Sequence, residues 1–176
     1  MDFSVDILIP TYQRKKFEGL ISLNINKQTY PLIKNVIIAD DSQDNLHLDI
    51  NYSVLNYKVE RMSIGAKRNF LLSKSTSRYA VFMDTDDMYH PDYISHSIHT
   101  HNVKLKFKEQ NSSEGLEPLK NHIGDIVQTD INKVMCCLCH QENTIDKKIW
   151  IKERYKTEFN MSEYDEHLKI ISSLNI

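Results

Sequence analysis

Short apolar runs alternate with amphipathic segments over the first hundred residues of the chain. Three apolar runs bounded by polar residues or proline, and a weaker fourth one, predict β-strands at 5–9, 36–39, 79–83 and 52–59. Apolar residues at helical spacing predict helices between them, at 17–28, 63–72 and 91–105. Strands that alternate with helices form right-handed βαβ units around a mainly parallel sheet. The pattern therefore predicts an α/β fold.

The second half of the chain has a different pattern. Residues 109–122 are polar and contain serine, glycine and proline, which indicates a loop or linker. Beyond it the sequence predicts three strands and a closing helix, at 123–129, 134–140, 145–152 and about 163–174. We therefore predict a single domain over 1–176, with a first half at 1–108 and a smaller, strand-rich half at 123–176.

Composition excludes several classes of function. The 22 Lys and Arg residues nearly balance the 24 Asp and Glu residues, which argues against a nucleic-acid partner or a polybasic membrane binder. No apolar run is long enough for a transmembrane segment, and three cysteines give no disulfide framework, so we expect a cytoplasmic protein. The four glycines are too far apart for a Rossmann fingerprint or a P-loop.

Carboxylates follow the ends of two predicted strands. Asp40 and Asp41 come after the strand at 36–39, and Asp84, Asp86 and Asp87 come after the strand at 79–83. Ligands of parallel sheets bind outside the carboxyl ends of the strands, so we expect these residues at one edge. Crowded carboxylates repel one another unless a cation neutralises them, and oxygen ligands suit Mg or Mn. The alternative is an acidic turn that caps the next helix.

Several motifs in this order resemble the opening of family-2 glycosyltransferases with the GT-A fold. The matching segments are VDILIPTYQR, QTYP, VIIADDS, GAKRN and VFMDTDD, within about the first 95 residues. The resemblance implies a GT-A-like three-layer α/β/α domain with a mainly parallel central sheet and a small strand-rich C-terminal part for the acceptor. It also implies a metal-dependent inverting glycosyltransferase that uses Mn or Mg. Such an enzyme moves a sugar from a nucleotide diphosphate sugar, most commonly a UDP-sugar, to an acceptor hydroxyl of a carbohydrate, lipid or protein.

The resemblance further implies the residues that hold the donor. The nucleotide-sugar-binding residues are expected to be Pro10, Thr11, Tyr12, Arg14, Asp40, Asp41, Gly65, Lys67, Arg68, Asn69, Asp84 and Asp86. The metal ligands are expected among Asp84, Asp86 and Asp87, and the sequence leaves open which carboxylate binds the ion directly. A metal that bridges the two phosphates stabilises the charge that develops on the leaving diphosphate.

A catalytic base is expected at the start of the last helix, where the family has a Glu-Asp motif. The corresponding segment is MSEYDE, in which Tyr164 stands where an adjacent carboxylate is expected. We expect Asp165 to be the base, with Glu163 as the second candidate and Glu166 as the third. The alternative is structural, because Ser162 and Asp165 have the spacing of a helix capping box.

Other functions are weighed against this one. A nucleotidyltransferase of the same fold would carry a glycine-rich loop after the first strand, whereas PTYQR contains no glycine. A catalytically inactive GT-A-like nucleotide- or glycan-binding module is the main alternative, because 123–176 leaves little chain for an acceptor site. The cysteine-rich segment 136–140 is interpreted as a strand, since alternate strand residues face opposite ways and no second ligand pair follows at zinc-finger spacing.

Overall fold

The computed structural model describes residues 3–98, 135–137 and 161–174 of the chain. The elements are β1 (Val5–Thr11), a 3-10 turn (Lys15–Phe17), α1 (Glu18–Asn26), β2 (Ile33–Asp40), β3 (Ser53–Lys58), α2 (Ile64–Lys74), β4 (Tyr79–Phe82), β5 (Asp87–Tyr89), α3 (Tyr93–Ile98), β6 (Met135–Cys137), a 3-10 turn (Met161–Tyr164) and α4 (Asp165–Ser173). None of the helices in these ranges is long and apolar enough to cross a membrane. The predicted connection and the predicted strands at 123–129 and 145–152 lie outside the described residues, as does the predicted third helix beyond residue 98.

Four parallel strands form the central sheet, in the order β3-β2-β1-β4. β1 lies inside this sheet and all seven of its residues are buried, which explains its nearly continuous apolar sequence. Thr11 at the end of β1 is opposite Asp40 at the end of β2, and Asp40 is in turn opposite Lys58 at the end of β3. The predicted α/β fold with a mainly parallel sheet is confirmed, and the carboxyl ends of its strands share one edge.

Separate apolar clusters cover the two faces of the sheet. Val5, Ile7 and Ile9 belong to a large cluster with side chains of α1, α3 and α4. Leu8 belongs to a smaller cluster on the other face, where it packs with Leu71 of α2. Because successive strand side chains point to opposite faces, odd and even positions of β1 contribute to different cores. This arrangement is the predicted α/β/α three-layer architecture.

Helix α2 begins at the residue that the sequence indicates. The side-chain oxygen of Ser63 accepts a hydrogen bond from the backbone N–H of Ala66 at 3.2 Å. Such a contact satisfies one of the N–H groups that an α-helix leaves open at its first turn. The cap therefore fixes where the residues of the first turn of α2, including Lys67 and Arg68, meet the edge of the sheet.

A second, two-stranded sheet is absent from the sequence prediction. β5 pairs antiparallel with β6, and Asp87 is opposite Cys137 while Tyr89 is opposite Met135. Residues 84–90 lie between the predicted strand at 79–83 and the predicted helix at 91–105, and no strand is predicted there, but Asp87 is the first residue of β5. The pattern misses this strand because β5 is only three residues long and its partner is far away in the sequence.

Candidate active site

The two carboxylates after β2 are buried, and each is paired with a lysine. The carboxylate of Asp40 accepts a hydrogen bond from Lys58 Nζ at 2.8 Å. The carboxylate of Asp41 accepts one from Lys67 Nζ at 2.5 Å and another from the backbone N–H of Met62 at 3.2 Å. Both carboxylates have almost no solvent exposure. This part of the sheet edge therefore holds negative charge that local cations neutralise.

Lys67 connects the ends of β1 and β2. Its ammonium group donates to the carbonyl oxygen of Thr11 at 2.8 Å as well as to Asp41, and the residue is only 3% exposed. Burial lowers the pKa of Lys67, while the hydrogen bond and the charge of Asp41 partly oppose that change. Lys67 thus supports the predicted nucleotide site from inside the protein, and its direct contact with a donor stays a prediction.

The segment after β1 presents an aromatic ring covered by a guanidinium group. Arg61 lies 3.4 Å from the centroid of the Tyr12 ring, and its Nη1 lies 3.3 Å from the carboxylate of Asp41. Gln13 follows with a φ of 51°, a conformation that few residues other than glycine adopt. The buried hydroxyl of Thr11 has no hydrogen-bond partner in the described part of the chain. Such an unsatisfied group at the sheet edge suits a polar ligand.

Arginines hold the acidic segment that follows β4. Arg68 Nη2 lies 3.1 Å from Oδ1 of Asp84, and Arg14 Nη2 lies 3.5 Å from Oδ2 of Asp86. The backbone N–H of Asp84 donates to the hydroxyl oxygen of Tyr89 at 2.6 Å. Burial raises the pKa of Tyr89 well above its ordinary value, and the nearby charge of Asp84 adds to the effect. The phenol therefore keeps its proton at neutral pH.

The structure brings most of the predicted donor-binding residues to this edge. Four of them lie in the first two turns of α2: Gly65, Lys67, Arg68 and Asn69. The contact between Lys67 and Thr11 brings that end of α2 to the end of β1. Pro10 and Thr11 are the last two residues of β1, and Tyr12 and Arg14 follow them. The carboxylates after β2 and β4 thus flank β1, as the sequence predicts.

The predicted metal ligands do not form a complete metal cluster by themselves. In the part of the chain that the structure describes, no three His, Cys, Asp or Glu side chains are grouped so that they could hold one ion. Asp84 is engaged by Arg68 and Asp86 by Arg14, and Asp86 and Asp87 are adjacent, largely buried residues. Mg is usually bound through one or two carboxylates together with water and substrate phosphates. The carboxylate oxygens of Asp86 and Asp87 are suitable ligands for such an ion. Metal binding at these two residues stays a prediction.

The candidate bases lie at the start of α4. Asp165 is the first residue of α4 and is exposed, while the backbone of Glu163 belongs to the preceding 3-10 turn. Glu166 is also exposed, and its carboxylate lies 2.7 Å from Lys27 Nζ. The hydrogen bond from Lys27 lowers the pKa of Glu166, so this carboxylate is ionised at neutral pH. Tyr164, which departs from the family motif, is fully buried.

Helix α4 is connected to the acidic segment through α1. His167 Nε2 lies 3.1 Å from Asn24 Oδ1, and Asn24 Nδ2 donates to the carbonyl oxygen of Asp87 at 2.8 Å. Burial lowers the pKa of His167, and the charge of Lys27 adds to this effect. A neutral imidazole therefore lies between the helix of the candidate bases and the segment of the candidate metal ligands.

Sequence reasoning missed three residues that support the site. Lys58 and Arg61 belong to none of the recognised motifs, and they pair with Asp40 and Asp41 only because β3 folds beside β2. Asn24 gave a weak signal, as a polar residue on the apolar side of a predicted helix. In each case the spatial partner lies on another element, so sequence spacing alone could not identify it.

The sequence of this chain is similar to those of several known proteins. Residues 6–103 match glycosyl transferase family 2. The chain is similar to glycosyltransferase GlyA of Streptococcus pneumoniae, with 25% identity over 100 residues that cover 53% of this chain and 14% of that protein. It is also similar to the Escherichia coli UDP-Glc:alpha-D-GlcNAc-diphosphoundecaprenol beta-1,3-glucosyltransferase WfgD, with 28% identity over 94 residues that cover 50% of this chain and 37% of that protein. Staphylococcus aureus TarS 1-349 in complex with UDP-GlcNAc aligns with a TM-score of 0.44 and 22% identity, over 55% of this chain and 30% of that chain.

The family match covers more than half of the chain, whereas the chain itself spans a small part of these curated relatives. The matched region contains all of the parallel sheet except Val5, together with α1, α2 and the carboxylates at the end of β2 and after β4. It is the same region in which the sequence motifs occur. The chain belongs to glycosyl transferase family 2.

Proposed function

We propose that the chain transfers a sugar from a nucleotide diphosphate sugar to an acceptor hydroxyl, with inversion at the sugar carbon and with Mn or Mg bound. The observation that carries the proposal is the set of paired carboxylates and cations at the carboxyl ends of β1, β2 and β4, within the region that matches the family. The name of the E. coli relative specifies UDP-Glc as its donor, which supports a UDP-sugar here.

The nucleotide is proposed to bind at the ends of β1 and β2. Tyr12 carries the guanidinium of Arg61 against its ring, and a base is proposed to bind beside this pair, while the unsatisfied hydroxyl of Thr11 offers a hydrogen bond. Asp40 provides a buried carboxylate that Lys58 contacts at 2.8 Å. Lys67 holds the backbone of Thr11 in position, so that the binding surface exists before the donor arrives.

The diphosphate is proposed to bind between α2 and the acidic segment. Arg14 and Arg68 are guanidinium groups near this edge, and guanidinium groups bind phosphate oxygens in bidentate geometry. Asp86 and Asp87 would hold the divalent ion. When bound, the ion neutralises negative charge that develops on the leaving diphosphate. Because the two carboxylates are buried, their oxygens would stay fixed while the bond between the sugar carbon and the leaving diphosphate breaks.

The acceptor is proposed to react on the side of α4. Asp165 would accept the proton of the acceptor hydroxyl, and Glu163 is the next candidate for this role. Asp165 is exposed and therefore accessible to an acceptor. In this arrangement 1–108 binds the donor, 109–122 is the connection, and 123–176 forms the acceptor half.

Donor hydrolysis tests the proposal without knowledge of the acceptor. Purified full-length chain is incubated with Mn²⁺ and a panel of UDP- and GDP-sugars, and release of the nucleoside diphosphate is measured. We expect turnover with at least one donor, loss of turnover in EDTA, and a decrease of about 10²–10³-fold in the Asp86→Asn/Asp87→Asn variant because the charge on the leaving group is no longer balanced. Asp44→Asn, at an exposed position after β2, is the matched control and should retain turnover.

Two results would contradict the proposal. Full activity of the double variant in the presence of chelator would exclude the metal-dependent mechanism. Tight binding of a nucleotide without turnover of any donor would instead identify a nucleotide-binding module.

A further inference from the structure

Two buried amide side chains, one in α1 and one just after it, bind the backbone of the segment that begins at Asp87. Asn24 Nδ2 donates to the carbonyl oxygen of Asp87 at 2.8 Å, and Asn24 Oδ1 accepts from the N–H of Tyr89 at 3.0 Å. Gln28, two residues beyond the end of α1, donates from Nε2 to the carbonyl oxygen of His90 at 2.9 Å. The two amides therefore fix the main chain just after the predicted metal ligands.

Asn24 takes the place of a neighbouring strand. Residues two apart in a strand direct their backbone groups to the same side, so the carbonyl of Asp87 and the N–H of Tyr89 are presented together. β6 pairs with β5 along one edge, and the amide of Asn24 satisfies these two groups of β5. Asn24 is 2% exposed. If its amide is removed by substitution, water therefore does not readily take over the hydrogen bonds to these two backbone groups.

The same amide also contacts the helix that carries the candidate bases. Asn24 Oδ1, which accepts from Tyr89, lies 3.1 Å from Nε2 of His167 in α4. His167 is 1% exposed, and Asp165 lies two residues before it in the sequence. One side chain thus connects the main chain at Asp87 with the start of α4.

We infer that Asn24 is a positioning residue for the divalent ion and the diphosphate, acting through the backbone of Asp87. This inference rests on the proposed function and adds to it a residue that lies on α1, away from the motifs. Asp86 and Asp87 are consecutive, so their carboxylates are held in place only as firmly as the main chain that bears them. A displacement of about 1 Å at a reacting centre lowers rates by up to about 10²-fold, which makes such fixation chemically significant.

Calorimetric titration of the full chain with UDP, in Mn²⁺ and separately in EDTA, tests the inference. Asn24→Leu keeps the volume of the side chain and removes its hydrogen bonds. Asn24→Ser keeps a polar group, but its side chain is too short to reach the backbone of Asp87. Asn26→Leu is the matched control. It lies in the same helix, its side chain donates to the carbonyl of Asp49 at 2.9 Å, and it is exposed.

We expect Mn²⁺ to increase the affinity for UDP in the wild type and in Asn26→Leu. This increase in affinity, the gain from Mn²⁺, should be smaller by about tenfold or more in the Asn24 variants. UDP affinity in EDTA should stay within about twofold in all four proteins, because Tyr12 and Thr11 are unchanged. A residue with a stability role alone would lower the melting temperature and leave the gain from Mn²⁺ intact in the folded protein. That outcome, or the failure of both Asn24 variants to fold, would overturn the inference.

The same samples separate this inference from the proposed function. If wild-type chain releases no UDP from any UDP-sugar but shows a gain from Mn²⁺ that depends on Asn24, the transferase proposal fails and the positioning role stands. If wild-type chain turns over a donor and the Asn24 variants keep the full gain from Mn²⁺, only the positioning role fails.

Discussion

Replacement of Lys67 by methionine removes the ammonium group that joins Thr11 to Asp41 while it keeps most of the aliphatic volume. The buried carboxylate of Asp41 would then retain the Met62 N–H at 3.2 Å and Arg61 at 3.3 Å, the latter with a side chain that is 61% exposed. Removal of one partner of a buried ion pair typically destabilises a protein by about 3–5 kcal/mol, because the other charge is left uncompensated. We expect Lys67→Met to lower the free energy of unfolding by this amount.

The pKa of Lys67 indicates how the loss would arise. Burial, with a further contribution from the charge of Arg61, lowers this pKa more than Asp41 and Asp40 raise it, so the surroundings as a whole do not favour the charged form. The ion pair is therefore not a large net source of stability, and most of the loss in Lys67→Met comes from the unpaired Asp41. Lys67→Met combined with Asp41→Leu removes both charges, and we expect the double variant to lie within about 2 kcal/mol of the wild type.

Urea denaturation followed by far-UV circular dichroism measures these free energies, with the slope compared between variants. Lys74→Met in the last turn of the same helix is the matched control, because this lysine is exposed and should change stability by less than about 0.5 kcal/mol. The reasoning is refuted if the double variant loses as much stability as the sum of the two single variants. It is equally refuted if Lys67→Met has the same urea midpoint of unfolding as the wild type.

Two further predictions concern stability. His167 has a pKa below its ordinary value of 6.5, so its neutral form favours the folded state; this contribution is present above about pH 6.5 and is lost as the pH falls below that value. His167→Gln should remove this pH dependence in denaturation curves, whereas the exposed His47→Gln should leave it unchanged. Ser63→Ala should lower the free energy of unfolding by about 1 kcal/mol in the same assay, because the N–H of Ala66 loses its cap. Ser63→Asp keeps an acceptor at this position and should retain the stability of the wild type. A loss in Ser63→Asp equal to that in Ser63→Ala would contradict the capping role.

The sheet could be predicted from the sequence because each of its features is encoded locally. β1 and β2 are apolar runs that end at residues unsuited to a buried strand interior, and Ser63 indicates the start of α2. The position of the proposed donor site follows from the same pattern, since the carboxyl ends of parallel strands meet at one edge. The acidic residues after β2 and β4 therefore had to lie near that edge.

The internal pairing of the site could not be predicted in this way. Arg68 engages Asp84, and Lys67 turns inward to Thr11, although the two residues are neighbours in one motif. Which of two adjacent cations points into the protein depends on the rotation of α2 against the sheet. Asn24 illustrates the same limit, because a polar residue on an apolar helix side indicates a buried partner without saying which one.

The first and last described helices share one apolar core, and this has a consequence for dissecting the chain. Tyr164, Ile170, Ile171 and Leu174 pack in the cluster that contains the buried side chains of β1 and α1. A fragment that stopped before α4 would lose these side chains from the core that β1 and α1 share, so we expect it to be less stable than the whole chain. A separately supplied C-terminal piece that restored the fold of the N-terminal piece would demonstrate this dependence.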